Sequence, residues 1–142
     1  MANITIGTTG EYRTRVTPEI ATSFLGLEDA RVLATPEMIR LMERTCRDAV
    51  LPLLDPGDDT VGTHVDVYHL AAAPLGSAVT FRVQVEQVEN RRIRFQVEAA
   101  TEREKIAHGT HERTIINVAR FAAKQAEKMK QAEKMKQAEK TI

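Results

Sequence analysis

Apolar and polar positions alternate with period two over two long stretches of this chain. Val79, Phe81, Val83 and Val85 alternate with Thr80, Arg82, Gln84 and Glu86, and Ile93, Phe95, Val97 and Ala99 repeat the pattern. Such alternation predicts strands with one face on a core and one in water. Val61, Thr63, Val65, Val67, His69 and Ala71 predict an earlier strand sharing one face, and residues 106–118 a later one. Residues 12–17 read as a short strand ahead of Pro18, followed by a weakly patterned stretch over 19–34. Pro74-Leu75-Gly76 and Glu89-Asn90-Arg91 read as the turns between strands.

The period changes between residues 36 and 54. Met38, Leu41, Met42, Cys46, Ala49, Val50 and Leu53 recur at helical spacing, while Arg40, Arg44 and Arg47 fall on the opposite side. Ala34-Thr35-Pro36-Glu37 reads as the helix start, with Thr35 as N-cap, Pro36 at the first helical position and Glu37 at the positive end of the dipole. Pro52 and Asp55-Pro56-Gly57-Asp58-Asp59 end it. One early helix followed by a strand meander is an α+β pattern, and no crossover helices separate the strands for a parallel sheet. The helix's apolar stripe is the natural cover for the strands, so a single antiparallel sheet wrapped around one central helix is expected.

The last segment differs in kind. Gln125-Ala126-Glu127-Lys128-Met129-Lys130 recurs at 131–136 and begins again at Gln137. Every residue type in it favours helix, but a six-residue period turns successive methionines through about 600°, so Met129 and Met135 line no common face. A solvated helical tail over 121–142, after a domain over 1–120, is expected rather than a coiled coil.

Composition narrows the functional classes. Lys+Arg and Asp+Glu both number 20, so the overall balance points to neither nucleic acid nor an anionic membrane. One cysteine, Cys46, excludes an internal disulfide and a cysteine-rich zinc site, and it reads as a small apolar residue on the helix. No stretch is long enough to span a membrane, and residues 1–16 lack the pattern of a secretory signal, so the cytoplasm is the expected location.

Three polar residues can carry chemistry. Thr35 lies at the helix start, where free N–H groups and the dipole suit a developing oxyanion, although capping alone accounts for it. Glu43 sits at the edge of the apolar stripe, placed either as a general base or as a boundary residue paired with Arg47. His69 follows Val65 and Val67 on the inward face of its strand, where a core histidine competes with a catalytic one. His108 and His111 lie three apart on a strand and therefore on opposite faces, so no metal site is expected. Neither a phosphate-binding glycine loop nor a G-x-S-x-G elbow is present.

The run Ala34-Thr35-Pro36-Glu37-Met38 with Leu41-Met42-Glu43-Arg44-Thr45-Cys46 resembles the helix of the fluoroacetyl-CoA thioesterase family of hotdog-fold proteins. The likeness continues through Leu54-Asp55-Pro56-Gly57, Val61-Gly62-Thr63, Tyr68-His69-Leu70-Ala71-Ala72-Ala73-Pro74-Leu75-Gly76 and Gly109-Thr110-His111-Glu112-Arg113, covering roughly residues 30–120. The resemblance implies a hotdog fold, with Thr35, Glu43 and His69 as the catalytic set and Gly62 and Arg113 contacting substrate. It implies a homodimer or a dimer of dimers, with acyl-CoA near the subunit interface and no cofactor beyond the coenzyme A of the substrate. The phenylalanines that the fluoroacetyl-specific enzyme carries just before the helix have no counterpart in residues 26–33, so a generic short acyl thioester is the expected substrate. Thioester hydrolysis leads; a non-catalytic acyl-CoA-binding protein and a hotdog hydratase or dehydratase are the alternatives.

Overall fold

A computed structural model describes residues 3–140. Residues 1, 2, 141 and 142, which the expected domain and tail include, lie outside the described residues. Five strands, β1 (Thr9–Arg15), β2 (Asp58–His69), β3 (Ala78–Glu89), β4 (Arg92–Ala100) and β5 (Lys105–Asn117), form one antiparallel sheet in the order β1-β3-β4-β5-β2. Helix α1 (Thr35–Val50) lies against its inner face and α2 (Val118–Lys140) follows β5. The expected hotdog arrangement is therefore present, one sheet curled around one helix.

The core is where the two periods meet. Met38, Leu41, Met42, Cys46 and Val50 of α1 are buried against Val79, Phe81, Val83 and Val85 of β3 and Ile93, Phe95, Val97 and Ala99 of β4. Both alternating stretches bury the predicted faces. Large side chains dominate this contact, and removing one such as Phe95 should cost about 3–5 kcal/mol. Cys46 is fully buried, and loss of solvation pushes its thiol pKa up, as suits an inert packing residue.

The β2 face departs from expectation. Its pairing with β5 slips between Gly62 and His64, so Thr63 is an extra residue in the ladder. Thr60 and Gly62 face inward before the slip, opposite Ile115 and Arg113; Val65, Val67 and His69 face inward after it, opposite His111, Gly109 and Ala107. Val61 and Thr63 thus lie on the outer face, because one inserted residue reverses a period-two pattern. Gly109 permits the close strand crossing at this end, since a Cβ there would run into the Asp66 carbonyl.

The weakly patterned segment is ordered by backbone bonds. Short 3-10 turns at Pro18–Ile20 and Glu28–Ala30 lead to Leu33, whose amide donates to Ala73 O at 2.9 Å, and Ala34 N donates to Ile20 O at 2.9 Å. The first of these bonds holds the start of α1 against the 70–76 loop that follows His69, and the second ties it to the first 3-10 turn.

Helix α2 contains the repeat and buries none of its residues; Met129 and Met135 are both exposed. Among the described residues no helix is long and apolar enough to cross a membrane.

Candidate active site

The structure sorts the candidate residues into two clusters. Thr35 occupies the first turn of α1, and Ala34, not Thr35, is the N-cap, with no side-chain capping bond. The threonine hydroxyl is engaged elsewhere: Thr35 Oγ1 lies 2.7 Å from His69 Nδ1. The expected cap is therefore replaced by a hydroxyl–imidazole pair joining the helix start to the end of β2. Burial pushes the His69 pKa down, with the Ala71 backbone opposing, so the neutral imidazole is favoured. Its Nε2 atom is buried and, among the described residues, without a hydrogen-bond partner. A hydroxyl beside a neutral imidazole is the geometry of an activated nucleophile and its base.

The second cluster surrounds Glu43. A Cβ on Gly62 would stand 2.7 Å from Glu43 Oε1, 3.2 Å from His111 Cε1 and 3.4 Å from Arg113 Nη1, so the missing side chain at Gly62 is what makes room for these groups. Arg113 is almost wholly buried and makes three hydrogen bonds inside the protein. Its Nε donates to Thr60 Oγ1 at 2.7 Å, Nη2 to Thr60 O at 3.0 Å and Nη1 to His111 Nε2 at 3.2 Å. Desolvation pulls its pKa down, with Glu43 the main opposing influence. The Glu43 side chain is 39% exposed, and His111 Nε2 lies 3.9 Å from its Oε1. It does not pair with Arg47, which instead grips Asp59 with bonds of 2.9 and 2.6 Å and holds that carboxyl below its usual range.

A single chain does not bring Thr35, Glu43 and His69 around one point. Thr35 and Glu43 stand about 12 Å apart along α1, and Gly62 and His69 roughly 20 Å apart along β2. Thr35 joins His69; Glu43 joins Gly62 and Arg113. Sequence reasoning missed His111 and Thr60, which complete the second cluster. The signal for His111 was its phase: Gly109, His111 and Arg113 share one side of β5, so two polar side chains point into a core. His64 and His108 are exposed, His64 beside Glu112 at 3.5 Å and His108 beside the Tyr68 ring at 5.8 Å.

Comparison with known proteins connects this chain to a family. Residues 16–119 match the family described as fluoroacetyl-CoA-specific thioesterase. A fluoroacetyl-CoA thioesterase from Streptantibioticus cattleyicolor is 41% identical over 101 residues, covering 71% of this chain and 73% of that protein. A solved structure of the fluoroacetyl-CoA thioesterase superposes with TM-score 0.79 at 34% identity, covering 89% of this chain and 98% of that one. A Thermus thermophilus protein described as a thioesterase superfamily member gives TM-score 0.84 at 32% identity, covering 94% and 98%. With the family model spanning most of the chain and the hotdog architecture shared, this protein is a thioesterase belonging to the fluoroacetyl-CoA-specific thioesterase family.

Proposed function

We propose that this thioesterase hydrolyses a short acyl-CoA, with Thr35 as nucleophile, His69 as its base and Glu43 as proton acceptor for water. The 2.7 Å Thr35–His69 bond carries this reading, because it pairs a hydroxyl with an imidazole kept neutral by burial. Thr35 Oγ attacks the thioester carbon and its proton passes to His69. The oxyanion rests at the first turn of α1, where Thr35 and Glu37 offer backbone N–H groups and Pro36 has none. Collapse breaks the C–S bond, and the CoA thiolate takes the proton from His69. Water then attacks the acyl-threonine, gives one proton to Glu43, and Glu43 returns it to the departing Thr35 oxygen.

For Glu43 to reach that carbon, two protomers are needed. β2 is an edge strand whose residues 62–66 are exposed, with Tyr68 60% and Leu70 61% exposed beyond them. Edge strands of this kind pair with another chain. Antiparallel pairing of two β2 strands about an axis near Val65 and Asp66 brings the Gly62 end of one protomer beside the His69 end of its partner. Each site then takes Thr35 and His69 from one protomer and Glu43, Gly62 and Arg113 from the other, with acyl-CoA at the seam.

The acyl group is read as short and not specifically fluorinated. Phe24 is the one aromatic residue between 17 and 34, and it is exposed together with Leu25 and Leu27. Hydrolysis rates measured across acyl-CoAs of increasing length should be highest for short chains. Turnover by the wild type no faster than by a Glu43→Ala/His69→Ala double variant would refute the whole reading. In Glu43→Ala alone, mass spectrometry should find acyl-Thr35; its absence would favour direct attack by water. Mixing Thr35→Ala chains with Glu43→Ala chains should restore about a quarter of wild-type activity if sites are shared between protomers, and none if each chain carries its own.

A further inference from the structure

We infer that His111 is a positioning residue: a neutral imidazole, protonated on Nδ1, that engages Arg113 and so leaves the Glu43 carboxylate unpaired. This rests on the reading of Glu43 as the proton acceptor and adds the residue that keeps it one.

His111 is 2% exposed and lies on the inward face of β5, paired across the ladder with Val65 and Phe95, whose ring it stacks against at 6.4 Å. Two bonds determine its proton position independently. Nδ1 lies 2.7 Å from the His64 carbonyl oxygen, which only accepts, so Nδ1 carries hydrogen. Nε2 lies 3.2 Å from Arg113 Nη1, which only donates, so Nε2 presents its lone pair. Both assignments describe one neutral tautomer, and burial together with the Arg113 charge opposes adding a second proton.

The consequence falls on Glu43. Arg113 Nε and Nη2 are committed to Thr60, and Nη1 faces both His111 Nε2 and the space beside Gly62 where Glu43 sits. His111 Nε2 accepts one of the two Nη1 hydrogens, drawing the guanidinium to its own side, and has no proton to offer Glu43 Oε1 at 3.9 Å. The carboxylate consequently receives no hydrogen bond from either neighbour among the described residues. Without the Nε2 acceptor, the guanidinium is released to turn Nη1 toward the Glu43 carboxylate across Gly62, and a carboxylate bound by guanidinium is a weaker base. The other imidazole nitrogen has a separate task, satisfying the His64 carbonyl beside the slipped ladder.

The two tasks can be separated. His111→Asn keeps a donor near Nδ1 and removes the acceptor at Nε2, whereas His111→Gln reaches the Nε2 position with an amide oxygen. In the full-length protein, His111→Asn should lower kcat about ten- to hundredfold with KM little changed, and His111→Gln should recover most of the loss. Long-range 1H–15N spectra of the wild type should show His111 protonated at Nδ1 and unprotonated at Nε2. Wild-type kcat in His111→Asn, equal defects in Asn and Gln variants of matched melting temperature, or a proton on Nε2 would each overturn the inference. The spectrum decides the tautomer even if a variant fails to fold. Full turnover in Glu43→Ala would instead refute the assignment of Glu43, which the imidazole spectrum does not test.

Discussion

The two polar clusters solve opposite problems with the same residue type. Among the described residues His69 bonds the side chain of an exposed threonine, and its buried Nε2 has no hydrogen-bond partner. His111 is sealed in the core with both nitrogens engaged, one by a backbone carbonyl and one by a guanidinium. A satisfied buried network is rigid and costly to break, whereas a sparse pair at the surface is cheap to lose structurally and free to act on an incoming group. On the proposed reading, the nucleophile and its base sit at the sparsely bonded Thr35–His69 end, and Glu43, the proposed proton acceptor, sits at the other end beside a fully bonded scaffold of Arg113, His111 and Thr60.

That contrast can be broken most sharply at His69. His69→Ala should cut kcat/KM for a short acyl-CoA by about 10²–10⁴, while melting shifts by no more than the loss of one exposed hydrogen bond, about 1 kcal/mol. A large loss of stability with little loss of rate would reverse the assignment. Arg113→Met should do more to the fold, costing about 2–4 kcal/mol by leaving Thr60 and His111 without their partner in the core. Urea unfolding of the variant beside wild type measures it.

Gly62→Ala tests the seat of Glu43. Its new methyl would displace the Glu43 carboxylate, which can swing aside, and crowd the buried His111, so stability should fall by about 1 kcal/mol while kcat drops about ten- to hundredfold. Unchanged kcat would remove Glu43 from the reaction.

A smaller effect separates the clusters by pH. Both His69 and His111 have folded-state pKa values below the ordinary imidazole value of 6.5, chiefly through desolvation. Between the folded and unfolded values the unfolded chain binds more protons, so stability rises with pH across that window and is lost as pH falls through it. Melting temperature should therefore decline below about pH 6.5, and His111→Asn should flatten the decline more than His69→Ala, since His111 is the more deeply buried. An equal effect from both would contradict the contrast in burial. The smallest change is expected outside both clusters: ending the chain after Arg120 should alter stability by no more than about 0.5 kcal/mol, because α2 buries none of its residues.

Much of the fold was legible in the order of residues. The apolar spacing of Met38, Leu41, Met42, Cys46 and Val50 specifies an amphipathic helix, and the alternations of β3 and β4 specify which faces enter the core. These signals are local, since helix and strand periods are properties of consecutive residues. Thr35, Glu43 and His69 stood out as polar groups beside apolar stripes, but it was the family resemblance that grouped them as one set. Their partners were not recognisable. Thr35 could cap its own helix or meet a distant side chain, and only the backbone bonds placing Arg31 and Leu33 against the 70–76 loop make His69 the partner.

The sequence by itself determined the elements, their buried faces on α1, β3 and β4, and the charged, solvated character of the tail. Tertiary structure decided the inward face of β2, the pairing of Arg47 with Asp59 in place of Glu43, the tautomer of His111, and the division of the polar residues into two clusters. The physical reason is common to all four. Periodicity records what each residue prefers among its near neighbours, but a slipped ladder or a hydrogen-bond partner exists only once strands from distant parts of the chain have chosen their register.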